Sequence, residues 1–460
     1  MSILKQTSID YDKFITYSKP GPRYTSYPTA VEFQPVTETI YIDKLKSQDK
    51  NAPLSLYFHL PFCKSACYFC ACSVIYTNSD AKKDKYIDYI KREIDILATH
   101  LDTSRTVSQM HFGGGTPTFF SPAHLQELIA HIRKTFPNFD ATPEISCEVD
   151  PRYFTDEIMK VLKEGGFNRI SFGVQDFDKK VQESVNRIQD YELVSNVMKI
   201  ARSYGINSIN IDLIYGLPFQ TPESFKKTLE QTISLNPDRL AIFNYAHVPW
   251  IKATMGKIDE ATLPTPDIKM KLLSLTIDTL EKAGYKMIGM DHFAKPNDEL
   301  FHAIDKNELY RNFQGYTTKG GTDLIGIGVT SIGYGNGYYI QNAKDLKEYE
   351  AAIDEGRLPT AKGILLTDDD VLRQKVIIQL MSNFYLDIEK IEQEFNIEFS
   401  SYFASELEEL QEFVQDGLVR VNEKEISLLN QTAVMIIRNI VMVFDIYLKT
   451  KKTQVFSKTV

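Results

Sequence analysis

Cysteine is scarce in this chain, five in 460 residues, and tryptophan occurs once. So few cysteines exclude the disulfide framework of a small extracellular scaffold, which spreads its pairs along the chain. An excess of positive charge is also missing. Lys and Arg number 52 against 61 Asp and Glu, a net charge of −9, so nothing global favours nucleic acid or an anionic membrane as a partner. An anionic ligand would need a local basic pocket. No apolar run approaches the length of about 18 residues that spans a bilayer. The most apolar late stretch, residues 433–446, is broken by Arg438, Asn439 and Asp445 and reads as a buried helix. Residues 1–14 mix charges and have no apolar centre, so no secretory signal is expected. These absences lead us to expect a soluble, cytoplasmic protein; a monomer is expected as well.

What is present is an ordinary globular composition, 43% hydrophobic and 25% charged. The length suits one large α/β domain and one accessory domain. Four of the five cysteines, Cys63, Cys67, Cys70 and Cys72, fall together, and in an internal protein such a cluster argues for a metal site. The fifth, Cys147, alternates with Ile145 and Val149 and is expected to pack in a core.

From residue 54 onward, short apolar runs alternate with charged stretches of helical period. Strands are expected at 54–59, 107–112, 144–149, 169–174, 208–214 and 239–245. Helices are expected at 84–101, 122–135, 156–164, 191–204 and 222–235. Six βα units in series imply a parallel sheet with helices outside it, since parallel strands require crossover connections. Six fall short of the eight that close a full barrel, so an open or partial barrel is expected, its ligands at the carboxyl ends of the strands. Polar and glycine-rich groups cluster at those ends. A further helix at 268–283 precedes a strand candidate at 286–290. We expect three parts: an extended arm at 1–50, the barrel and its extension at 51–350, and a small helical, winged-helix-like domain at 360–460. The last should carry helices at 371–381, 388–395 and 405–414 and a hairpin at 418–421 and 425–428.

The cysteine loop, Cys63-Lys64-Ser65-Ala66-Cys67-Tyr68-Phe69-Cys70-Ala71-Cys72, follows the first strand. Several thiolates on one compact loop can wrap an iron–sulfur cluster. Zinc is the rival, but its usual signature has a second, separated ligand pair, and none follows with that spacing. Gly113-Gly114-Gly115-Thr116 ends the second strand, where bare backbone can approach a ligand closely. Glu148, Gln175, Arg187 and Asp212 sit near later strand ends. Singly, each is a solvated or structural residue; as a set at one sheet edge they suit a nucleoside and an amino acid, because a carboxylate accepts from ribose hydroxyls and an arginine pairs with a carboxylate. For His59 a structural and a catalytic role both stand open.

The CxxxCxxC spacing of Cys63, Cys67 and Cys70 after the first strand of a partial barrel resembles the radical SAM superfamily. That resemblance implies three thiolates on three irons of a 4Fe-4S cluster, with S-adenosylmethionine (SAM) on the fourth. Further stretches narrow the match: Pro22-Arg23-Tyr24-Thr25-Ser26-Tyr27-Pro28, Glu148-Val149-Asp150-Pro151-Arg152, Gly173-Val174-Gln175-Asp176-Phe177, Asn210-Ile211-Asp212-Leu213-Ile214-Tyr215-Gly216-Leu217-Pro218, Phe243-Asn244-Tyr245-Ala246-His247, Gly289-Met290-Asp291-His292-Phe293 and Arg311-Asn312-Phe313-Gln314-Gly315-Tyr316. With Cys72 they closely resemble the bacterial oxygen-independent coproporphyrinogen III oxidase family, over nearly the whole chain.

The resemblance implies oxidative decarboxylation of two propionates of coproporphyrinogen III to vinyl groups, giving protoporphyrinogen IX in anaerobic haem biosynthesis. SAM is split to methionine and a 5′-deoxyadenosyl radical, which takes a hydrogen from the propionate β-carbon; loss of CO2 and one electron leaves the vinyl group. It further implies two SAM molecules, the first at Tyr57, Gly114, Glu148 and Ile332. The second is expected at Phe69, Gly115, Thr116, Gln175, Arg187, Asp212 and Ala246. An electron donor such as a flavodoxin or ferredoxin is implied as a partner. Cys70-Ala71-Cys72-Ser73 departs from the family's more usual Cys-Gly-Cys-Asn and leaves the triad intact. Arg23 and Arg311 are candidate cations for the propionates, with Tyr24 and Tyr27 as phenols beside Arg23. The alternative is a haem chaperone of the same superfamily, whose members usually lack the fourth cysteine and the N-terminal Pro-Arg-Tyr motif.

Overall fold

The structure is a computed structural model in which residues 9–450 are described. The chain divides into two compact units. One comprises residues 33–276 and 321–365; the other comprises the described residues of 1–32, 277–320 and 366–460.

In the first unit, six strands run parallel in sequential order: β1 (Leu54–Leu60), β2 (Val107–Gly114), β3 (Phe139–Val149), β4 (Arg169–Gln175), β5 (Ser208–Tyr215) and β6 (Arg239–Asn244). Helices α1 (Asp80–Ala98), α2 (Pro122–Thr135), α3 (Asp156–Glu164), α4 (Tyr191–Ser203) and α5 (Pro222–Ser234) make the crossovers. Local chemistry fixes their starts. Ser121 and Thr221 each form a capping box ahead of a proline at the first turn, and the side chains of Ser79, Thr155 and Asp190 accept from backbone N–H groups that the helix leaves unpaired.

The α/β reading therefore holds, and the sheet is open. Beyond β1 it continues through β7 (Asp323–Ile327), which is parallel to β1, and then antiparallel through β8 (Ile332–Gly335), β9 (Tyr338–Asn342), β10 (Thr360–Leu365) and a short strand at Gln34–Pro35. Those added strands were not expected. They are short, and Gly326, Gly328, Gly333, Gly335 and Gly337 interrupt any apolar period.

Parallel strands covered on both faces become apolar throughout, and β1 is buried at every position but Tyr57. In β4 and β5 burial alternates, so Ser171, Gly173 and Gln175, and likewise Asn210 and Asp212, share the less buried face. Cys147 is fully buried, as its core reading requires.

The second unit contains a helix at Asp368–Asn383 and a three-stranded antiparallel sheet of Tyr385–Asp387, Glu425–Leu428 and Val419–Val421. A helix at Ile388–Phe395 and the expected hairpin are present. The apolar stretch 433–446 is buried but breaks into short helical pieces, Gln431–Met435, Ile437–Val441 and Met442–Phe444. The expected helix at 405–414 is likewise two pieces, Ala404–Glu409 and Gln411–Gln415, and the strand candidate at 286–290 shortens to Lys286–Met287.

Two corrections concern the N-terminus. The expected extended arm holds helices at Tyr11–Tyr17 and Glu38–Lys46. It is not a separate part either, since residues up to Glu32 group with 277–320 and 366–460. Tyr24 and Tyr27 are core residues. The Tyr24 hydroxyl donates to Asp445 at 2.9 Å, and the Tyr27 hydroxyl accepts from the Ile446 N–H at 3.3 Å. Packing has claimed both phenols, so neither is available to a ligand. The described chain falls into two compact units, each built from separated segments.

Candidate active site

Strand register assembles the site. Tyr57 lies opposite His111, and His111 opposite Ser146; one pleat further, Glu148 is opposite Ser171 and Ser171 opposite Asn210; Gly173 is then opposite Asp212. These rows place polar side chains from five neighbouring strands on one face near the carboxyl ends.

Over that edge lies the cysteine loop, closed by its own backbone. The Ile75 N–H donates to Pro61 O at 2.8 Å and the Thr77 N–H to Cys63 O at 3.0 Å. The glycine run then docks beneath it: the Gly115 N–H donates to Leu60 O at 2.9 Å and the Thr116 N–H to Phe62 O at 3.1 Å. Only glycine fits there. A Cβ on Gly115 would sit 2.5 Å from Pro61 O, and Gly114 takes φ +109° with the His59 ring 2.7 Å from where its Cβ would be.

A cavity of about 230 Å³ results. Cys63, Cys67, Cys70, Phe69, Gly114, Gly115, Thr116, Glu148, Gln175, Arg187 and Asp212 all line it. Tyr57, Ala246 and Ile332 do not. Tyr57 stacks on His111 at 5.8 Å, Ile332 packs its backbone against Gly326 beside β1, and Ala246 follows β6. Phe69 also packs against the apolar group of Val181, Val185, Leu217 and Tyr245, so it is partly core.

The electrostatics centre on Asp150, to which the sequence alone assigns no role. It is buried and holds Arg152 Nη2 at 2.7 Å and Arg187 Nη1 at 2.9 Å. Burial pushes its carboxyl up, but the two guanidiniums outweigh burial and hold it below its ordinary range. Both guanidiniums also lie 3.7 Å from Cys67 Sγ. Arg152, Ser171 and Gly173 were missed as lining residues. The two-residue period of β4 leading to Gln175 could have found Ser171 and Gly173.

Glu148 is pushed up by burial yet held low by the His111 imidazole at 3.4 Å and the Gly114 N–H at 3.2 Å. Asp212 accepts from Ser171 Oγ at 3.0 Å and Asn210 Nδ2 at 2.7 Å. Burial pushes the Cys63 thiol up to about 12, opposed by the Thr116 hydroxyl 3.3 Å away. A hydrogen bond from the Cys72 thiol holds Cys70 down to about 7. His59 is held by two hydrogen bonds. Its Nε2 meets Ser73 O at 2.9 Å and therefore carries the proton, which leaves Nδ1 to accept from the Tyr57 hydroxyl at 3.0 Å.

The residues present suit a cluster with a nucleoside ligand. Among the described residues no three His, Cys, Asp or Glu side chains converge on one metal ion. Three thiols spread around one cavity instead match a cluster whose ligands each take a different iron. The Arg187 Nε is buried without a protein partner, a donor left for a ligand.

Residues 57–232 match the radical SAM superfamily, and residues 366–429 match the HemN C-terminal domain. The chain is a radical SAM enzyme by fold and site, a class that uses a 4Fe-4S cluster and SAM. It is 56% identical over 459 residues to an oxygen-independent coproporphyrinogen III oxidase of Helicobacter pylori, covering 98% of this chain and 99% of that one. It is 47% identical to the enzyme of the same name from Escherichia coli, covering 98% and 99%. The solved structure of coproporphyrinogen III oxidase from Escherichia coli, described as a radical SAM enzyme, superposes with a TM-score of 0.91 at 46% identity, covering 96% of this chain and all of that one. The chain belongs to the oxygen-independent coproporphyrinogen III oxidase family.

Proposed function

We infer that this chain converts two propionates of coproporphyrinogen III to vinyl groups by SAM-dependent oxidative decarboxylation, giving protoporphyrinogen IX. The observation that carries the reading is one cavity that gathers the CxxxCxxC thiols, the glycine run and the strand-end polar set. The oxidase name carried by the relatives favours the decarboxylase over a haem chaperone.

In this reading Cys63, Cys67 and Cys70 ligate the cluster. When bound, the cluster and SAM supply the one-electron chemistry, and the protein orients and shields it. Asp150 keeps Arg152 and Arg187 beside Cys67, so two positive charges face the thiolate that ligation requires. Glu148 is held ionised beside Gly114 and suits a methionyl amine or ribose hydroxyl; with Tyr57 and Ile332 these form the first SAM site. Phe69, Gly115, Thr116, Gln175, Arg187, Asp212 and Ala246 form the second. The cavity lining supports all of these but Tyr57, Ile332 and Ala246, which rest on the resemblance. No helix among the described residues is long and apolar enough to cross a membrane. A cytoplasmic location, a monomeric state and reduction by a flavodoxin or ferredoxin belong to the same proposal and rest on the family resemblance.

The test is anaerobic turnover of the reconstituted protein with coproporphyrinogen III, SAM and a reductant. Two molecules each of 5′-deoxyadenosine and CO2 are expected per protoporphyrinogen IX. Turnover without CO2, or with methyl transfer to the tetrapyrrole, would overturn the assignment.

A further inference from the structure

We propose that Arg23, Arg311 and Arg438, together with Asp291, form a binding site for a carboxylate of the tetrapyrrole substrate. The proposal rests on the activity inferred above. Its geometry lies wholly within the second unit. Arg438 donates from Nη2 to Gly21 O at 2.6 Å and from Nε to Pro22 O at 2.9 Å; Arg311 donates from Nη1 to Arg23 O at 3.3 Å. Two guanidiniums thus hold three consecutive backbone carbonyls, and the third residue of that run contributes Arg23 itself.

Asp291 is the carboxylate among them, joined to His292 Nδ1 at 2.6 Å. Burial pushes its carboxyl up, but His292, Arg311 and Arg23 together hold it well below its ordinary range. Arg438 is pulled down to about 10, first by burial and then by the neighbouring charges of Arg23 and Arg311. Three guanidiniums against one carboxylate leave a local positive excess in a chain whose net charge is −9. Like charges gathered in a partly buried place repel. Tying down a backbone segment does not need them, because neutral amides donate equally well to carbonyls.

Two further donors lack a partner. Arg311 Nε and the Tyr316 hydroxyl are buried with no acceptor among the described residues, and Tyr316 packs against both Arg311, 5.3 Å from its ring, and the His292 ring at 4.9 Å. Buried donors without an acceptor are rare unless a water or ligand completes them. The Arg23 side chain is exposed and Arg311 half-buried, so an anion has a way in. Planar guanidiniums match a carboxylate through paired hydrogen bonds, and the inferred substrate is a tetrapyrrole rich in propionates.

Binding of coproporphyrin III and of its tetramethyl ester by the full-length protein tests this without turnover. The variants are Arg23→Gln, Arg311→Gln and Arg311→Lys. Each glutamine variant is expected to lose about tenfold in affinity for the free acid, the effect of one charge-assisted hydrogen bond, while binding the ester as the wild type does. Arg311→Lys should recover part of the loss. Arg23 is exposed, so its variant tests the site even where an Arg311 variant fails to fold. A loss below about threefold in the folded glutamine variants, or an equal loss for the ester, overturns the proposal. Wild-type decarboxylation with unaltered variant binding would sink the site and leave the activity standing. Charge-dependent binding without decarboxylation would do the reverse.

Discussion

Two polar clusters, one in each unit, are built on the same plan and end with different charge. In the first unit Asp150 holds Arg152 and Arg187, and the Cys67 sulfur lies within reach of both. Once Cys67 ligates iron as a thiolate, two cations face two anions. In the second unit Asp291 faces Arg23, Arg311 and Arg438, and among the described residues no thiol or second carboxylate is paired with them. The charges of the first cluster balance within the protein, with Arg187 Nε still open to a ligand; the second cluster awaits an anion from outside. Buried charge is costly unless paired, so a surplus of one sign marks where a ligand of the other sign belongs.

The comparison breaks most visibly at the thiols. Replacing Cys63, Cys67 or Cys70 by Ala should each abolish the cluster and activity, read as iron and sulfide content after anaerobic reconstitution. Cys72→Ala should retain a 4Fe-4S cluster, because the assignment uses only three thiolates. Loss of cluster iron in Cys72→Ala alone would refute it.

The next largest effect belongs to Asp150. Its side chain is 4% exposed and that of Arg187 is 10% exposed, so Asp150→Ala leaves the buried Arg187 and the partly buried Arg152 guanidiniums without their shared carboxylate. Removing one partner of a buried pair costs about 3–5 kcal/mol, and a clear drop in denaturant midpoint is expected. An unchanged midpoint would mean that water already screens the pair and that the charge argument for both clusters is weaker.

How legible these features were depends on how local they are. The six βα units could be read because each strand and helix carries its own period and cap; α2 begins at Ser121-Pro122, where its bounds were expected. The cysteine loop and glycine run were legible for the same reason. Asp150 sits two residues from Glu148 in a quoted stretch, yet its role needs Arg187 brought in from beyond β4. The second unit is less legible still. Tyr24 meets Asp445 across 421 residues, so the Pro- and Tyr-rich segment looked like a free arm when it is core. Arg438 looked like an interruption in an apolar run, and only folding makes it the inner guanidinium of a cluster.

Glu93 sharpens the comparison from the opposite side, as a buried carboxylate with no guanidinium at all. It lies on α1 and accepts from the Gly328 N–H at 2.8 Å, Asn342 Nδ2 at 2.7 Å and the Tyr349 hydroxyl at 2.6 Å, holding the turn between β7 and β8. Burial pushes it up to about 7, and those three neutral donors only partly oppose the shift. The sign follows from linkage. Between the ordinary glutamate range and about pH 7 the folded chain holds a proton that the unfolded chain has released. The stabilisation is therefore complete below the unfolded value and is lost as pH rises through about 7. Glu93→Gln keeps the shape without the titration, so its stability should vary less between about pH 5 and 7 than that of the wild type, by a few kcal/mol at most. Asp150, held low by Arg187 and Arg152, and Asp291, held low by His292 and then by Arg311 and Arg23, should contribute the opposite slope at more acid pH. Parallel stability–pH curves for wild type and Glu93→Gln across that window would show that Glu93 is already ionised in the folded protein, with a cation or water meeting it, and that its three hydrogen bonds serve a charged group.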